Sequence, residues 1–212
     1  MTTLPFQGLL FDLDGTLVNS IPAVKRAWAQ WSMEHGLDPE VIVPQIHGRR
    51  AMDSIALLAS HLDQEAAFRR LEHLEATDTE GVEPMPGALE FLAQLEGVPW
   101  GIVTSGTRAI ADPRLRACGF QPPSIFVSAE NVKDGKPHPA PFLEGVRQLG
   151  IPAQDILAFE DTLAGVRSAK AAGLRTISLT EEGAVEADAT IPGYVGMKVE
   201  VSPAGGYLLS IP

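Results

Sequence analysis

The chain has 212 residues and a mass of 22.6 kDa, enough for one ample domain or a domain carrying a small insert. Its 16 Lys and Arg against 27 Asp and Glu give a formal charge of −11 and a pI near 4.8, a surface that repels nucleic acid; 45% hydrophobic residues exclude wholesale disorder. The only cysteine, Cys118, excludes an intramolecular disulfide framework and a cysteine-based zinc cluster.

The negative field also repels small anionic substrates, so an enzyme acting on one needs a local cation. No basic residues precede the first apolar run, as a signal peptide requires, and no uncharged apolar stretch approaches the ~18 residues that cross a bilayer. The expectation is a cytoplasmic monomer with no membrane or nucleic-acid partner.

Residues 8–13 form a nearly continuous apolar run, the pattern of a strand buried on both faces. Asp14-Gly15-Thr16 breaks it. Ser20 is placed to cap a helix with Pro22 in its first turn, and Ile21, Val24, Trp28 and Trp31 follow at helical spacing until Gly36. Further helices are predicted at 50–61 and 64–76, with no strand between 17 and 82, and Glu83-Pro-Met-Pro-Gly87 reads as a stiff linker. Beyond it helices (87–96, 108–118, 139–149, 162–172) alternate with strands (100–104, 125–127, 156–159, 176–179). That alternation predicts βαβ units and a parallel sheet. The fold class is therefore α/β, a parallel-sheet core of residues 1–16 and 83–212 with a helical insert at 17–82 facing it across a cleft. The stretch after about residue 181, including Gly193-Tyr-Val-Gly196 and Gly205-Gly-Tyr-Leu-Leu209, reads as edge strands with no site.

Ligands of parallel sheets bind at the carboxyl ends of strands. This chain places there Asp12 and Asp14, then Thr104 and Ser105, then Lys136 in a loop, then Glu160 and Asp161. Asp, Gly and Thr are common turn formers, but turn chemistry does not explain Asp12 inside an apolar strand, where a carboxylate is costly without a cation. Each of the other groups alone reads as a cap or a solvated loop residue. Together they suit phosphoryl transfer. Clustered carboxylates favour Mg²⁺, a hard cation that also draws phosphate close. Hydroxyls, backbone N–H groups and a lysine hold phosphoryl oxygens. A carboxylate with a pKa of about 3.9 is ionised at neutral pH and serves as nucleophile, while a second one two residues on handles the proton.

Phe11-Asp-Leu-Asp-Gly-Thr16, Val103-Thr-Ser-Gly106, Gly135-Lys-Pro-His-Pro139 and Phe159-Glu-Asp-Thr162 resemble, in order and across nearly the whole chain, the four motifs of the haloacid dehalogenase superfamily. More narrowly, Trp28/Trp31, His47-Gly-Arg-Arg50 and Glu75-Ala-Thr-Asp-Thr-Glu-Gly81 are similar to segments of its bacterial sugar phosphatases and, less so, its glycerol-phosphate phosphatases. The resemblance implies a Rossmann-like core with a helical cap after the first strand. It implies Asp12 as nucleophile and Mg²⁺ ligand, and Asp14 as general acid then base with its backbone carbonyl on the metal. Thr104, the Ser105 amide and Lys136 would hold phosphate; Asp161 would complete the protein ligands, and Glu160 would reach the metal through water. Asn19 stands where many members carry an acid.

His47, Arg49 and Arg50 lie between predicted helices where a loop can face the cleft, and Arg donors suit polyhydroxyl or anionic groups. The acids Glu72, Glu75, Asp78, Glu80 and Glu83 read as a solvated face, Trp28 and Trp31 as core, and Cys118 as packing. The expected function is a Mg²⁺-dependent phosphatase of small sugar or polyol phosphates. A sugar-phosphate phosphomutase and a phospho-aspartate sensor are the alternatives, and Asp14 disfavours a dehalogenase, which has no alkoxide leaving group to protonate.

Overall fold

A computed structural model describes residues 2–46 and 48–212. The first strand, β1 (Thr2–Phe6), leads through Gln7 into β2 (Gly8–Phe11). Along β2 the side chains alternate between two buried faces, Leu9 and Phe11 entering one apolar cluster and Leu10 another. A strand without a polar face therefore has an unbroken apolar sequence.

β3 (Val18–Asn19) precedes the helices α1 (Ile21–Glu34), α2 (Pro39–Ile42), α3 (Ala51–Leu58) and α4 (Gln64–Thr77), after which comes β4 (Glu83–Pro84). β3 and β4 pair antiparallel, Val18 opposite Pro84 and Asn19 opposite Glu83, and close the insert at its neck. The apolar pattern predicts no strand here because two residues a side are too few to carry a period of two. The insert has its own apolar cluster, with Trp28, Trp31, Ile55 and Leu71 at its centre. Trp31 Nε1 donates to the carbonyl of Ala67, 2.9 Å away, which satisfies the buried indole and fixes α1 against α4.

The chain continues through α5 (Ala88–Leu92), β5 (Trp100–Val103), α6 (Arg108–Ala117), β6 (Ile125–Val127), α7 (Ala140–Leu149), β7 (Ile156–Glu160), α8 (Leu163–Ala171), β8 (Arg175–Ser178), α9 (Glu181–Ala184), β9 (Ala189–Thr190), β10 (Lys198–Val201) and β11 (Tyr207–Ile211). Six strands form one parallel sheet in the order β6-β5-β2-β7-β8-β9, flanked by helices. This is a Rossmann-like core with additional helices inserted after its first strand. From β2 the sheet grows to one side through β5 and β6, then crosses to β7 and β8 on the other. That reversal opens a crevice at the carboxyl ends of β2, β5 and β7. No helix among the described residues is long and apolar enough to cross a membrane.

The C-terminal stretch does more than extend an edge. Only β9 borders the parallel sheet; β10 and β11 build a separate antiparallel sheet with β1. Between them Tyr194 is buried against Phe91, ring centroids 5.2 Å apart, and its hydroxyl donates to the carbonyl of Thr16 at 3.1 Å. The segment that sequence could not assign thus braces the loop after β2.

Candidate active site

Asp12 is the first residue beyond β2, and its N–H donates to the Phe159 carbonyl on the adjacent β7, 2.9 Å away. Thr104 stands in the same place beyond β5, while Glu160 ends β7 and Asp161 follows it. Lys136 enters from the loop between β6 and α7 and is buried. Its Nζ donates to Asp12 Oδ1 at 2.6 Å, to the Val103 carbonyl at 2.9 Å and to Glu160 Oε1. The other oxygen of Glu160 accepts from the N–H of Asp161 and Thr162, and Thr162 caps α8 by accepting from Gly165.

Asp12, Glu160 and Asp161 each bring a carboxylate oxygen within 4.8 Å of the others. Three acids face one lysine, and all the donors are hard oxygens, so the cluster can coordinate a divalent cation. Its electrostatics carry the mark of that crowding. Burial, with Glu160 and Asp14 nearby, lifts the pKa of Asp12 from 3.8 to about 7 despite Lys136. Burial, Asp12 and Glu160 likewise raise Asp161. Burial opposes the charge on Lys136, but Asp12 and Glu160 outweigh it and raise its pKa. Gly15, with φ of +83°, lets the loop turn beneath this cluster; a Cβ there would lie 2.1 Å from Asp161 Oδ2, so no other residue fits.

Asp14 faces the insert. Its Oδ1 accepts from Ser20 Oγ and from Arg114 Nη1, the latter at 2.8 Å. Ser20 consequently makes no side-chain cap for α1, contrary to the sequence expectation. Arg114 also donates from Nη2 to Glu75 Oε2 at 2.8 Å. Sequence reasoning missed both partners. Glu75 is buried rather than on a solvated face, and burial raises its pKa even though Arg114 opposes that. Glu72, beside it, accepts from Thr107 Oγ1 at 2.6 Å. A signal for each exists: Glu75 continues the buried stripe Ala67, Leu71, Leu74 of α4, and Arg114 falls among Ile110, Ala111 and Leu115 of α6.

Between the sheet and the inserted helices lies a cavity of about 510 Å³. Asp12, Asp14, Thr104, Ser105, Lys136 and Asp161 line its floor, and Ile21, Val24, Trp28 and Phe68 give it an apolar wall. Thr104 Oγ1 accepts from the N–H of Gly106 at 3.0 Å. Arg49 and Arg50 both line the cavity, but the Arg50 guanidinium is engaged elsewhere: it grips Asp53 through two bonds of 2.8 Å and donates to the carbonyls of Val132 and Lys133. Arg49 is exposed. Gly48, at φ of +74°, brings this loop so close to Thr162 that a Cβ would lie 2.8 Å from its Oγ1. His47 lies outside the described residues.

Residues 6–173 match the model of a hydrolase family, the haloacid dehalogenase-like hydrolases. The chain is 47% identical over 178 residues to hexitol phosphatase A of Escherichia coli strain K12, covering 82% of each protein. It is 33% identical over 189 residues to glycerol-1-phosphate phosphohydrolase 2 of Saccharomyces cerevisiae, covering 84% of this chain and 76% of that one. In fold it is similar to CbbY of Rhodobacter sphaeroides, crystallised with phosphate: TM-score 0.79 at 23% identity, with 90% of this chain and 96% of that one covered.

Proposed function

The chain belongs to the haloacid dehalogenase-like hydrolases, and we propose that it is a Mg²⁺-dependent phosphatase that hydrolyses small sugar or polyol phosphates through an aspartyl-phosphate at Asp12. The observation that carries this reading is the meeting of Asp12, Lys136 and Asp161 on the floor of a cavity roofed by the inserted helices, with Glu160 buried against Lys136. The substrate class draws support from the relatives named for hexitol and glycerol 1-phosphate, and from a cavity that sets carboxylates and arginines beside an apolar wall. In this reading residues 17–82 act as the cap and residues 1–16 and 83–212 as the core.

Asp12, Asp161 and the backbone carbonyl of Asp14 would hold the Mg²⁺, with Glu160 reaching it through water. When bound, the ion supplies positive charge to the clustered carboxylates and to the phosphoryl oxygens beside them. The Thr104 hydroxyl, the Ser105 N–H and Lys136 bind the phosphoryl group, and the Lys136 charge favours the carboxylate form of Asp12 against its burial. An Asp12 carboxylate oxygen attacks phosphorus, forming the acyl-phosphate P–O bond as the ester P–O bond breaks. Asp14 gives its proton to the departing alkoxide oxygen. Asp14, now a carboxylate, takes a proton from water; the resulting hydroxide attacks phosphorus, inorganic phosphate leaves and Asp12 is regenerated. His47 and Arg49 read the hydroxyls of the leaving group. Arg50 acts beside them by fixing the recognition loop to the core.

Phosphate release from hexitol, hexose and glycerol phosphates, with Mg²⁺ or with EDTA, tests the reading on wild type and Asp12→Asn. Release that requires both Mg²⁺ and Asp12 is expected. Release by Asp12→Asn near the wild-type rate overturns the aspartyl-phosphate, and isomerised ester without free phosphate makes the protein a phosphomutase.

A further inference from the structure

We propose that Arg114 is a positioning residue that makes the orientation of Asp14 depend on the seating of the helical insert; the inference rests on Asp14 being the proton donor of the proposed phosphatase. Arg114 belongs to α6, beside the sheet, and only 2% of its surface is exposed. Its planar fork meets two carboxylates from different parts of the fold. Nη1 reaches Asp14 in the loop after β2, and Nη2 reaches Glu75 on α4 of the insert, each at 2.8 Å. Its Nε is buried without a hydrogen-bond partner among the described residues.

Structure alone does not account for this arrangement. Two carboxylates share one guanidinium, and a buried ion pair of that kind is weak evidence for stability, since apolar residues of similar volume pack as well. What it does supply is direction. A guanidinium presents its donors at fixed angles, so bonding Glu75 fixes the plane in which Nη1 approaches Asp14. Oδ1 of Asp14 takes both Ser20 and Arg114, and no hydrogen bond holds Oδ2 among the described residues, which leaves that oxygen to meet a leaving group. Thr107 and Glu72 make a second contact between the start of α6 and α4. Lifting α4 would break both links and release the guanidinium that directs Asp14. Proton transfer is thus confined to the arrangement in which the insert covers the substrate.

The test compares kcat/KM for glycerol 1-phosphate, whose alkoxide must be protonated as it leaves, with that for p-nitrophenyl phosphate, whose leaving group needs no proton. Arg114→Lys is expected to lower the first about 10- to 100-fold, the scale of a misplaced catalytic group, and the second less than about 3-fold. Arg114→Met/Glu75→Leu removes the buried pair together and leaves Asp14 held by Ser20 alone; the same selective loss is expected. Glu75→Gln keeps the side-chain shape, so it maintains the test should the Arg114 variants not fold, with a selective loss of about 3- to 10-fold. On an Asp14→Asn background none of these changes should reduce kcat/KM further, because Arg114 acts through Asp14. Equal losses on both esters, or losses that multiply with Asp14→Asn, overturn the inference while the phosphatase reading stands. If Asp14→Asn itself does not distinguish the esters, Asp14 is not the proton donor, and the inference falls together with that assigned role while hydrolysis through Asp12 is untouched.

Discussion

Lys136 Nζ lies 2.6 Å from Asp12 Oδ1, and the same buried cation bonds Glu160 and the Val103 carbonyl. One lysine therefore offsets the charge of acids arriving from two adjacent strands. Lys136→Met should abolish turnover and destabilise the protein by about 3–5 kcal/mol at pH 8, the usual cost of stripping the partner from buried charge. At pH 5 the acids with raised pKa values take up protons, so the loss should shrink. Urea unfolding at the two pH values measures this; equal losses would mean that Lys136 stabilises by packing, not charge.

Asp12 has an unusual pH signature. Burial holds its pKa at about 7 in the folded chain, against an ordinary value of 3.8. Between these values the folded protein keeps a proton that the unfolded chain has lost, so unfolding releases it and stability falls as pH rises through the window. In EDTA, the melting temperature of the wild type should therefore decline between pH 4 and 7 more steeply than that of Asp12→Asn. Mg²⁺ should reverse the difference by raising the wild-type value in a concentration-dependent way. Parallel pH profiles for the two proteins would show that Asp12 is ionised across the whole range.

The parallel sheet was legible because β2 and β7 are buried on both faces and so consist of apolar residues that end abruptly in acids. The end of β2 also exposed Asp12, since a carboxylate inside an apolar run is costly without a cation, whereas Glu160 and Asp161 alone read as a helix cap and were marked only by their combination with Asp12, Thr104 and Lys136. Other features depend on partners distant in sequence. β1 is mostly exposed, and its partner β11 lies at the opposite terminus, so its own residues carry no strand pattern. Ser20 has the composition of a helix cap, yet its hydroxyl is claimed by Asp14. Glu75 and Arg114 each interrupt an apolar stripe, and only their meeting across the cleft explains why either is tolerated.

Adjacent arginines in the insert should behave differently on substitution. Arg50 is bound to Asp53 and to two carbonyls of the loop that carries Lys136, so Arg50→Ala should loosen the insert and lower kcat/KM alike for polyol phosphates and p-nitrophenyl phosphate. Arg49 lines the cavity without these bonds, and Arg49→Ala should raise KM for polyol phosphates about 10-fold while sparing the aryl ester, as expected for one lost charge-assisted hydrogen bond. A steady-state comparison of two variants on two esters is sufficient. A uniform effect from Arg49→Ala would remove it from substrate recognition.

Tyr194 connects the C-terminal stretch to the loop after β2 through its hydroxyl, which donates to the Thr16 carbonyl. Its ring contributes separately by packing among Phe11, Phe91 and Phe159. The two contributions separate cleanly by substitution. Tyr194→Phe keeps the ring and deletes the donor, so unfolding should cost about 0.5–1.5 kcal/mol less, with a few-fold fall in kcat because the turn bearing Asp14 is less firmly held. Tyr194→Ala removes the ring as well and should cost about 3–5 kcal/mol through the cavity it leaves. Chemical denaturation and steady-state kinetics on both variants measure the two effects. If Tyr194→Phe matches wild type in stability and kcat, the ring alone accounts for the residue, and the C-terminal stretch supports the core without steadying the loop that carries Asp14.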